Sequence, residues 1–179
     1  MRTALAGVTL AFVLLTSAPA HEVDEYVQAA LISIERDRLD IQLRLVPGAA
    51  VFAKVVAAID TDADGAISPA EQQGYARRVM EDIVLTLNGQ RVIPSVQVMS
   101  FPSLDLMKEG LGEIHIALRV AVVARSDEQK LVLQNRHQGA ISAYLVNCLA
   151  PRDPSLKIIR QRRSANQAHY ELEYRQRAF

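Results

Sequence analysis

The sequence contains a single cysteine, so no internal disulfide can hold its fold together. Cys148 lies in the apolar run AYLVNCLAP, which is typical of a strand. A thiol in such a run is expected to be buried and inert, and a nucleophile near His137 or His169 is the alternative. An exported domain without disulfides must be stabilised by its core or by a bound ion.

The chain also lacks a charge imbalance, since it carries 20 basic and 20 acidic residues. This balance argues against a general nucleic-acid-binding protein. The motifs G-x-S-x-G and H-E-x-x-H are absent, and GLGEIH has a histidine where a dinucleotide-binding loop needs a third glycine. These absences favour a binding module, and an extracytoplasmic enzyme with an unrecognised site is the alternative.

Beyond its first residues, the sequence has no apolar run of membrane-spanning length. The first residues, MRTALAGVTLAFVLLTSAPA, combine Arg2, an apolar run and the small-residue end Ala18-Pro19-Ala20. This order is typical of a secretory signal peptide over residues 1–20, and an uncleaved anchor is the alternative. We therefore expect an exported protein, periplasmic or secreted, with residues 21–179 as a single domain.

Alternating apolar residues predict strands along most of the mature chain. The segment EYVQAALISIERDRLDIQLRLVPG predicts two strands joined by the polar hairpin loop ERDR. In the second strand Leu39, Ile41 and Leu43 alternate with polar residues, so one face is buried and the other is solvated. Asn88-Gly89 between two apolar runs is a strong hairpin signal. The pattern predicts an α+β fold, a mostly antiparallel β-sandwich with one helix–loop–helix inserted after the second strand at about residues 48–82.

The apolar period changes after the second predicted strand. Phe52, Val55 and Ile59 lie at helical spacing, which predicts a first helix. The segment SPAEQQGYARRVMED predicts a second helix, because Ser68 can cap it and Glu71 completes a capping box.

The segment DTDADGAISPAE, between the two predicted helices, places oxygen ligands at alternate positions. Ca²⁺ binds six to eight oxygens in a flexible shell. The candidate ligands are the side chains of Asp60, Asp62, Asp64 and Glu71, the main-chain carbonyl of Ala66, and Ser68 through a bridging water. Gly65 permits the sharp turn that directs these groups to one centre. An acidic, solvated loop ahead of a capped helix is the alternative.

This segment resembles the calcium loop of the EF-hand family, and the likeness extends over about residues 51–80. In that family, apolar residues flank the loop at fixed distances, and the positions one, four, five and eight residues before Asp60 are apolar here too. Gln72 departs from the pattern, because the residue after the final glutamate is usually apolar. Ile67 occupies the position that forms a short strand bridge with a second loop in the family.

No second calcium loop follows, although EF-hands usually occur in pairs. The segment SLDLMKEGLGE contains acidic residues and glycine without the D-x-D-x-D-G spacing. The resemblance therefore implies a lone hand that packs on the predicted sheet and binds Ca²⁺ in the weak range of roughly 0.1–1 mM. We expect a mainly structural ion, and a calcium sensor is the alternative.

Two other features suggest ligands less directly. His21, at the expected new N-terminus, is expected to be an ordinary polar first residue, and copper binding together with His115, His137 or His169 is the alternative. The basic segment KIIRQRR predicts a solvated strand face, and binding to anionic lipid or polysaccharide is the alternative.

The remainder of the chain resembles uncharacterised exported bacterial domains through LQNRHQGAISAYLVNCLAPRDP. Some of those domains precede membrane segments of a nickel-permease type, which this chain lacks, so transport does not carry over. The expected function is thus a non-enzymatic, calcium-binding accessory module. Its expected partners are Ca²⁺ and a protein or envelope component, without nucleic acid and without a membrane-spanning segment once processed.

Overall fold

The computed structural model describes residues 24–123 and 128–177. The predicted signal peptide and His21 lie outside these residues. Within the described ranges, no helix is long and apolar enough to cross a membrane. The described chain is mostly β structure with few helices, in agreement with the predicted α+β class.

The described residues form ten strands, which assemble into two sheets of five. In chain order the strands are β1 (Tyr26–Ile34), β2 (Arg38–Pro47), β3 (Ile83–Leu87), β4 (Gln90–Val92), β5 (Ser95–Ser100), β6 (Ile114–Ala121), β7 (Glu128–Asn135), β8 (Ser142–Cys148), β9 (Leu156–Arg163) and β10 (His169–Gln176). The first sheet has the order β5-β6-β2-β1-β8, and the second has the order β4-β3-β7-β10-β9. Neighbouring strands are antiparallel except for β1 and β8, which are parallel.

The two hairpins that the sequence predicts most clearly are both present. Strands β1 and β2 pair from Tyr26 opposite Pro47 to Ile34 opposite Leu39, and buried residues alternate along both strands. Asn88 and Gly89 join β3 to β4 with φ angles of 52° and 80°. Positive φ at both central residues is the requirement of a two-residue hairpin turn that matches strand twist.

Between β2 and β3 the chain forms the predicted pair of helices. The α-helices of the described chain are α1 (Phe52–Ile59), α2 (Pro69–Asp82) and the short α3 (Leu104–Lys108), and a 3-10 helix (Ala49–Val51) directly precedes α1. Ser68 caps α2, because its hydroxyl accepts a hydrogen bond from the Glu71 amide and the Glu71 carboxylate accepts one from the Ser68 amide. We refer to residues 48–82, which contain α1 and α2, as the insert.

One hydrophobic core cluster contains residues from both sheets and from the insert. Leu43 and Ile116 come from the first sheet, Leu133 and Leu172 come from the second, and each is at most 1% exposed. The insert contributes side chains that are fully buried: Val55, Ile59, Tyr75 and Val79. Burying one aliphatic side chain of this size stabilises a fold by roughly 1.5–3 kcal/mol, so the insert is packed as part of the core.

Candidate metal centre

The loop between α1 and α2 brings three of the predicted ligands together. Asp60, Asp62 and Glu71 each place one carboxylate oxygen within 4.8 Å of the other two. Asp60 and Glu71 are 8% and 9% exposed, whereas Asp62 is exposed. Within residues 24–123 and 128–177, this is the one cluster of three or more metal-ligating side chains. Its donors are all hard oxygens at the first, third and twelfth positions of the predicted loop.

Backbone amides fold the loop around Asp60. The Asp64 amide donates to Asp60 Oδ1 at 3.2 Å, and the Gly65 amide donates to Asp60 Oδ2 at 3.0 Å. Gly65 has a φ of 81°, which is the left-handed conformation that the sharp turn was expected to need. Ala63 also has a positive φ, of 58°, and the sequence gives no sign of this second strained position.

Glu71 is fixed at the end of the loop by donors on both of its oxygens. The Thr61 amide donates to Oε1 at 2.6 Å, and the Ser68 amide donates to Oε2 at 2.9 Å. Hydrogen bonds from Ser68 and then from Thr61 lower the pKa of Glu71 to about 2, so this carboxylate is charged at neutral pH. The sequence motif does not identify Thr61, because its contribution comes mainly from a backbone amide.

The surroundings of Asp62 shift its pKa in the opposite direction to that of Glu71. A hydrogen bond from the Asp64 amide favours the charged form of Asp62, but desolvation and the negative charges of Asp64 and Glu71 outweigh it. The pKa of Asp62 is therefore raised above its ordinary value. A raised carboxyl pKa among other carboxylates means that the loop carries uncompensated repulsion, which a bound cation would remove.

Three other predicted ligands are placed differently from the cluster. Asp64 lies outside it, and its Oδ1 accepts a hydrogen bond from the Ala66 amide at 2.8 Å. Ala66 is exposed on the loop. The Ser68 hydroxyl donates to Glu71 Oε2 at 2.9 Å, so it serves the helix cap. The cluster of three thus contains half of the six residues that the sequence predicts.

Gln72 follows Glu71, at the position where the EF-hand family usually has an apolar residue. Its side-chain amide donates to the Ile67 carbonyl at 3.2 Å. Ile67 packs on the core, and it belongs to no strand, so its backbone groups lack a sheet partner. Because main-chain carbonyls that leave water need a donor, the Gln72 side chain satisfies the Ile67 carbonyl from within the insert.

The insert also contacts the segment that follows β5. A cavity of 420 Å³ lies between the loop and this segment, and its walls include Ile67, Gln72, Phe101 and Leu104. The Phe101 ring packs edge-on against Tyr75 of α2, with ring centroids 6.1 Å apart. The two helices are tied together by Arg78, which donates to the Ala58 carbonyl.

The remaining candidate residues have partners of their own. Cys148 is 5% exposed, and burial raises the pKa of its thiol to about 12, as expected for an inert side chain. His115 contacts Gln42, and His169 contacts Glu171. His137 is buried, and it lies against Tyr75 and Asp82 of α2. The copper interpretation depends on His21, which is outside the described residues.

The basic segment lies on β9, where most of its side chains are exposed. Arg160 forms an ion pair with Glu173 at 3.2 Å. Arg163 donates to the Val146 carbonyl at 2.8 Å, and its guanidinium lies 5.3 Å from the centre of the Tyr170 ring. These contacts agree with the expected solvated strand face.

Comparison with models of known protein families gives no match to this chain, and comparison with curated proteins gives none either. The interpretation of the loop therefore rests on its own residues. They form a cluster of oxygen ligands between two helices, and a capping box fixes the last ligand.

Proposed function

We propose that this chain is an exported calcium-binding protein whose insert acts as a lone EF-hand. The observation that carries the proposal is the convergence of Asp60, Asp62 and Glu71 within 4.8 Å at the first, third and twelfth loop positions. In the proposed site these side chains bind Ca²⁺, together with Asp64, the Ala66 carbonyl and a water held by Ser68. Residues 1–20 direct the protein out of the cytoplasm.

The chemistry of the donors favours Ca²⁺ over other cations. Every side chain in the cluster offers carboxylate oxygen, which suits hard cations and not those that prefer nitrogen or sulfur. Mg²⁺ requires near-ideal octahedral geometry, whereas Ca²⁺ accepts a larger and more irregular shell. Glu71 is held in its charged form by two amides, so it is ready to bind a cation at neutral pH.

The proposed role of the ion is mainly structural. In this proposal the two sheets pack as a β-sandwich, and calcium holds the insert on it. Val55, Ile59 and Val79 are fully buried. Opening the two helices, as a sensor does, would expose these side chains to water at a large cost in free energy. The protein is therefore proposed as a non-enzymatic module that binds calcium and presents its surface to a protein or envelope partner.

Calorimetric titration of the mature protein with Ca²⁺ tests the metal site. The wild-type protein is expected to bind one ion, and Glu71→Gln is expected to weaken binding by at least about tenfold, because it removes a charged ligand. Glu81→Gln is the matched control, since it makes the same change at an exposed position of the same helix. Equal calcium binding by Glu71→Gln and Glu81→Gln would contradict the proposal.

A further inference from the structure

A chain of buried hydrogen bonds connects α2, through its middle residue Tyr75 and its last residue Asp82, to the rest of the core. The hydroxyls of Tyr26 and Tyr75 lie 2.7 Å apart, and the Tyr75 hydroxyl lies 3.0 Å from His137 Nε2. His137 Nδ1 lies 2.8 Å from a carboxylate oxygen of Asp82, the last residue of α2. Tyr26 and Tyr75 are 0% exposed and His137 is 3% exposed, so the chain is sealed from water along most of its length.

The direction of each hydrogen bond follows from the chemistry of Asp82. An ionised carboxylate only accepts, so His137 Nδ1 must carry a proton. In a neutral imidazole the other nitrogen, Nε2, is then an acceptor, and the Tyr75 hydroxyl donates to it. The Tyr75 oxygen remains free to accept from the Tyr26 hydroxyl. With His137 neutral, every proton in this chain has an acceptor.

A second proton on His137 breaks this arrangement. Nε2–H would become a donor to the Tyr75 oxygen, and the Tyr75 hydroxyl would have to turn toward Tyr26. The Tyr26 hydroxyl would then lose the oxygen to which it donates, in a place that water does not reach. A buried donor without a partner is strongly unfavourable, so the chain opposes protonation of His137.

The ring of His137 cannot escape easily, because its backbone is fixed from several sides. Its carbonyl accepts hydrogen bonds from the Gln28 side chain at 2.9 Å and from the Tyr144 hydroxyl at 2.7 Å. Its amide donates to Asn135 Oδ1 at 2.9 Å. These contacts come from β1, β8 and β7, so both sheets hold the residue while its ring reaches α2.

The groups around His137 shift its pKa in both directions. Desolvation is the largest influence and lowers the pKa of His137, while the hydrogen bond and charge of Asp82 raise it and the charge of Arg78 lowers it. The net effect is a pKa below the ordinary value of 6.5. The Asp82 side chain is 47% exposed, so water weakens its attraction for a protonated imidazole. The other titratable groups that face His137 are the hydroxyls of Tyr26, Tyr75 and Tyr144.

We infer that His137 is an acid-sensitive latch, which holds α2 tightly against the sheets when neutral and weakens this attachment when protonated. Tyr75 and Glu71 are four residues apart on α2 and therefore lie on the same face. Loosening Tyr75 frees the helix turn that positions Glu71, so acid is expected to weaken calcium binding as well. This second effect rests on the proposed calcium site, whereas the latch itself does not.

The sign of the pH dependence follows from the lowered pKa. The unfolded chain binds a proton at His137 near pH 6.5, before the folded protein does. The latch thus contributes its full stability above about pH 6.5 and loses it as the pH falls through the folded pKa. In that window, the unfolding equilibrium constant of the protein should rise by up to about tenfold per pH unit from this one group.

Long-range proton–nitrogen NMR spectra of the wild-type protein, recorded in chelator, test the latch directly. At pH 7, His137 should be neutral with its proton on Nδ1, and it should titrate at a lower pH in the folded protein than in the same protein unfolded in urea. A proton on Nε2 at pH 7, or titration of folded His137 at or above the pH at which it titrates in urea, would overturn the inference. This measurement needs no variant, so it holds even where a substitution prevents folding.

Urea unfolding between pH 7.5 and 5.5 provides the second test, with His137→Gln as the variant and His115→Gln as its control. In chelator, the wild-type protein and the control should lose stability as pH falls, and His137→Gln should lose much less. Parallel profiles for all three proteins would overturn the latch. With calcium, the wild-type affinity should fall more steeply with acid than that of His137→Gln. Absence of calcium binding at pH 7.5 would refute the proposed function alone, because the chelator series would still decide the latch.

Discussion

The surroundings of helix α2 differ along its length: its first turn lies beside carboxylates, and its middle, at Tyr75, lies against buried, uncharged hydroxyl and imidazole groups. At the first turn, Glu71 is charged and lies beside Asp60 and Asp62. Farther along, Tyr75 reaches Tyr26 and His137 through hydroxyl and imidazole groups that are buried. The carboxylates of the loop form no ion pair within the described residues, whereas the hydroxyl of Tyr75 finds its hydrogen-bond partners in the protein itself.

This difference indicates how the insert can be kept in place without a second helix–loop–helix unit. The buried side chains from Tyr75 onward pack α2 against the core independently of any ion, so the helix retains its position. The loop end has its oxygens gathered by amides, and repulsion between them is relieved when a cation binds. We therefore expect the core contacts to dominate the stability of the insert and calcium to add a smaller increment.

The largest loss of stability is expected when the hydrogen bonds of Tyr75 are removed. Tyr75→Phe removes one hydroxyl and leaves the Tyr26 hydroxyl and His137 Nε2 without partners. Each unsatisfied buried group costs roughly 1–3 kcal/mol, so we expect the free energy of unfolding to fall by about 2–4 kcal/mol. Urea denaturation in the presence of chelator measures this loss.

Tyr174→Phe is the matched control for that substitution. The Tyr174 hydroxyl is buried and has no hydrogen-bond partner within the described residues. Removing it should leave stability within about 0.5 kcal/mol of the wild-type value, or increase it. Similar losses for Tyr75→Phe and Tyr174→Phe would show that the hydrogen-bonded chain does not anchor the helix.

A smaller change in stability is expected when calcium binds the loop between α1 and α2. An ion that binds only the folded state stabilises it by RT ln(1 + [L]/Kd), which is roughly 1.4 kcal/mol for millimolar calcium and a dissociation constant near 0.1 mM. For a domain of this size, calcium should raise the melting temperature by about 3–6 °C over chelator. Thermal melts monitored by circular dichroism measure the difference.

The same samples distinguish a structural ion from a sensor. Binding of a dye that reports exposed apolar surface should not increase when calcium is added, since Val55, Ile59 and Val79 stay buried. A rise in dye binding on addition of calcium would favour the sensor interpretation.

The smallest loss of stability is expected at Gln72, the residue directly after Glu71. Gln72→Leu restores the apolar residue usual in EF-hands but removes the donor to the Ile67 carbonyl. We expect a loss of about 0.5–1 kcal/mol, the size of one partly buried hydrogen bond. Gln73→Leu, at the exposed neighbouring position, is the control for the added apolar surface. A stability gain specific to Gln72→Leu in urea denaturation would contradict this role.

Local patterns in the sequence predicted the elements of the structure well. Alternation gave β1 and β2, and Asn88-Gly89 gave the hairpin between β3 and β4, because these signals depend on residues that are neighbours along the chain. The capping box at Ser68 and Glu71 is equally local. The parallel pairing of β1 with β8 could not be predicted, since it joins segments that share no turn.

The candidate site was predicted only in part for the same reason. Spacing within twelve residues identified Asp60, Asp62 and Glu71, but it also included Asp64, which the loop turns toward the Ala66 amide. The contacts of Tyr75 with Tyr26 and His137 cross 49 and 62 residues of sequence. No periodic pattern marks such pairs, because they exist only once both sheets are assembled.

The parallel pairing of β1 with β8 also has a consequence for the time during which the protein is made. Strand β2 ends at Pro47, and β8 ends at Cys148. About a hundred residues therefore separate the β1–β2 hairpin from β8, the strand that pairs with the free edge of β1. At about 5–20 residues per second, a ribosome needs roughly 5–20 s to supply them. If the first hairpin forms before those residues emerge, β1 is an uncovered strand edge throughout that interval, which is the kind of surface that pairs with other chains.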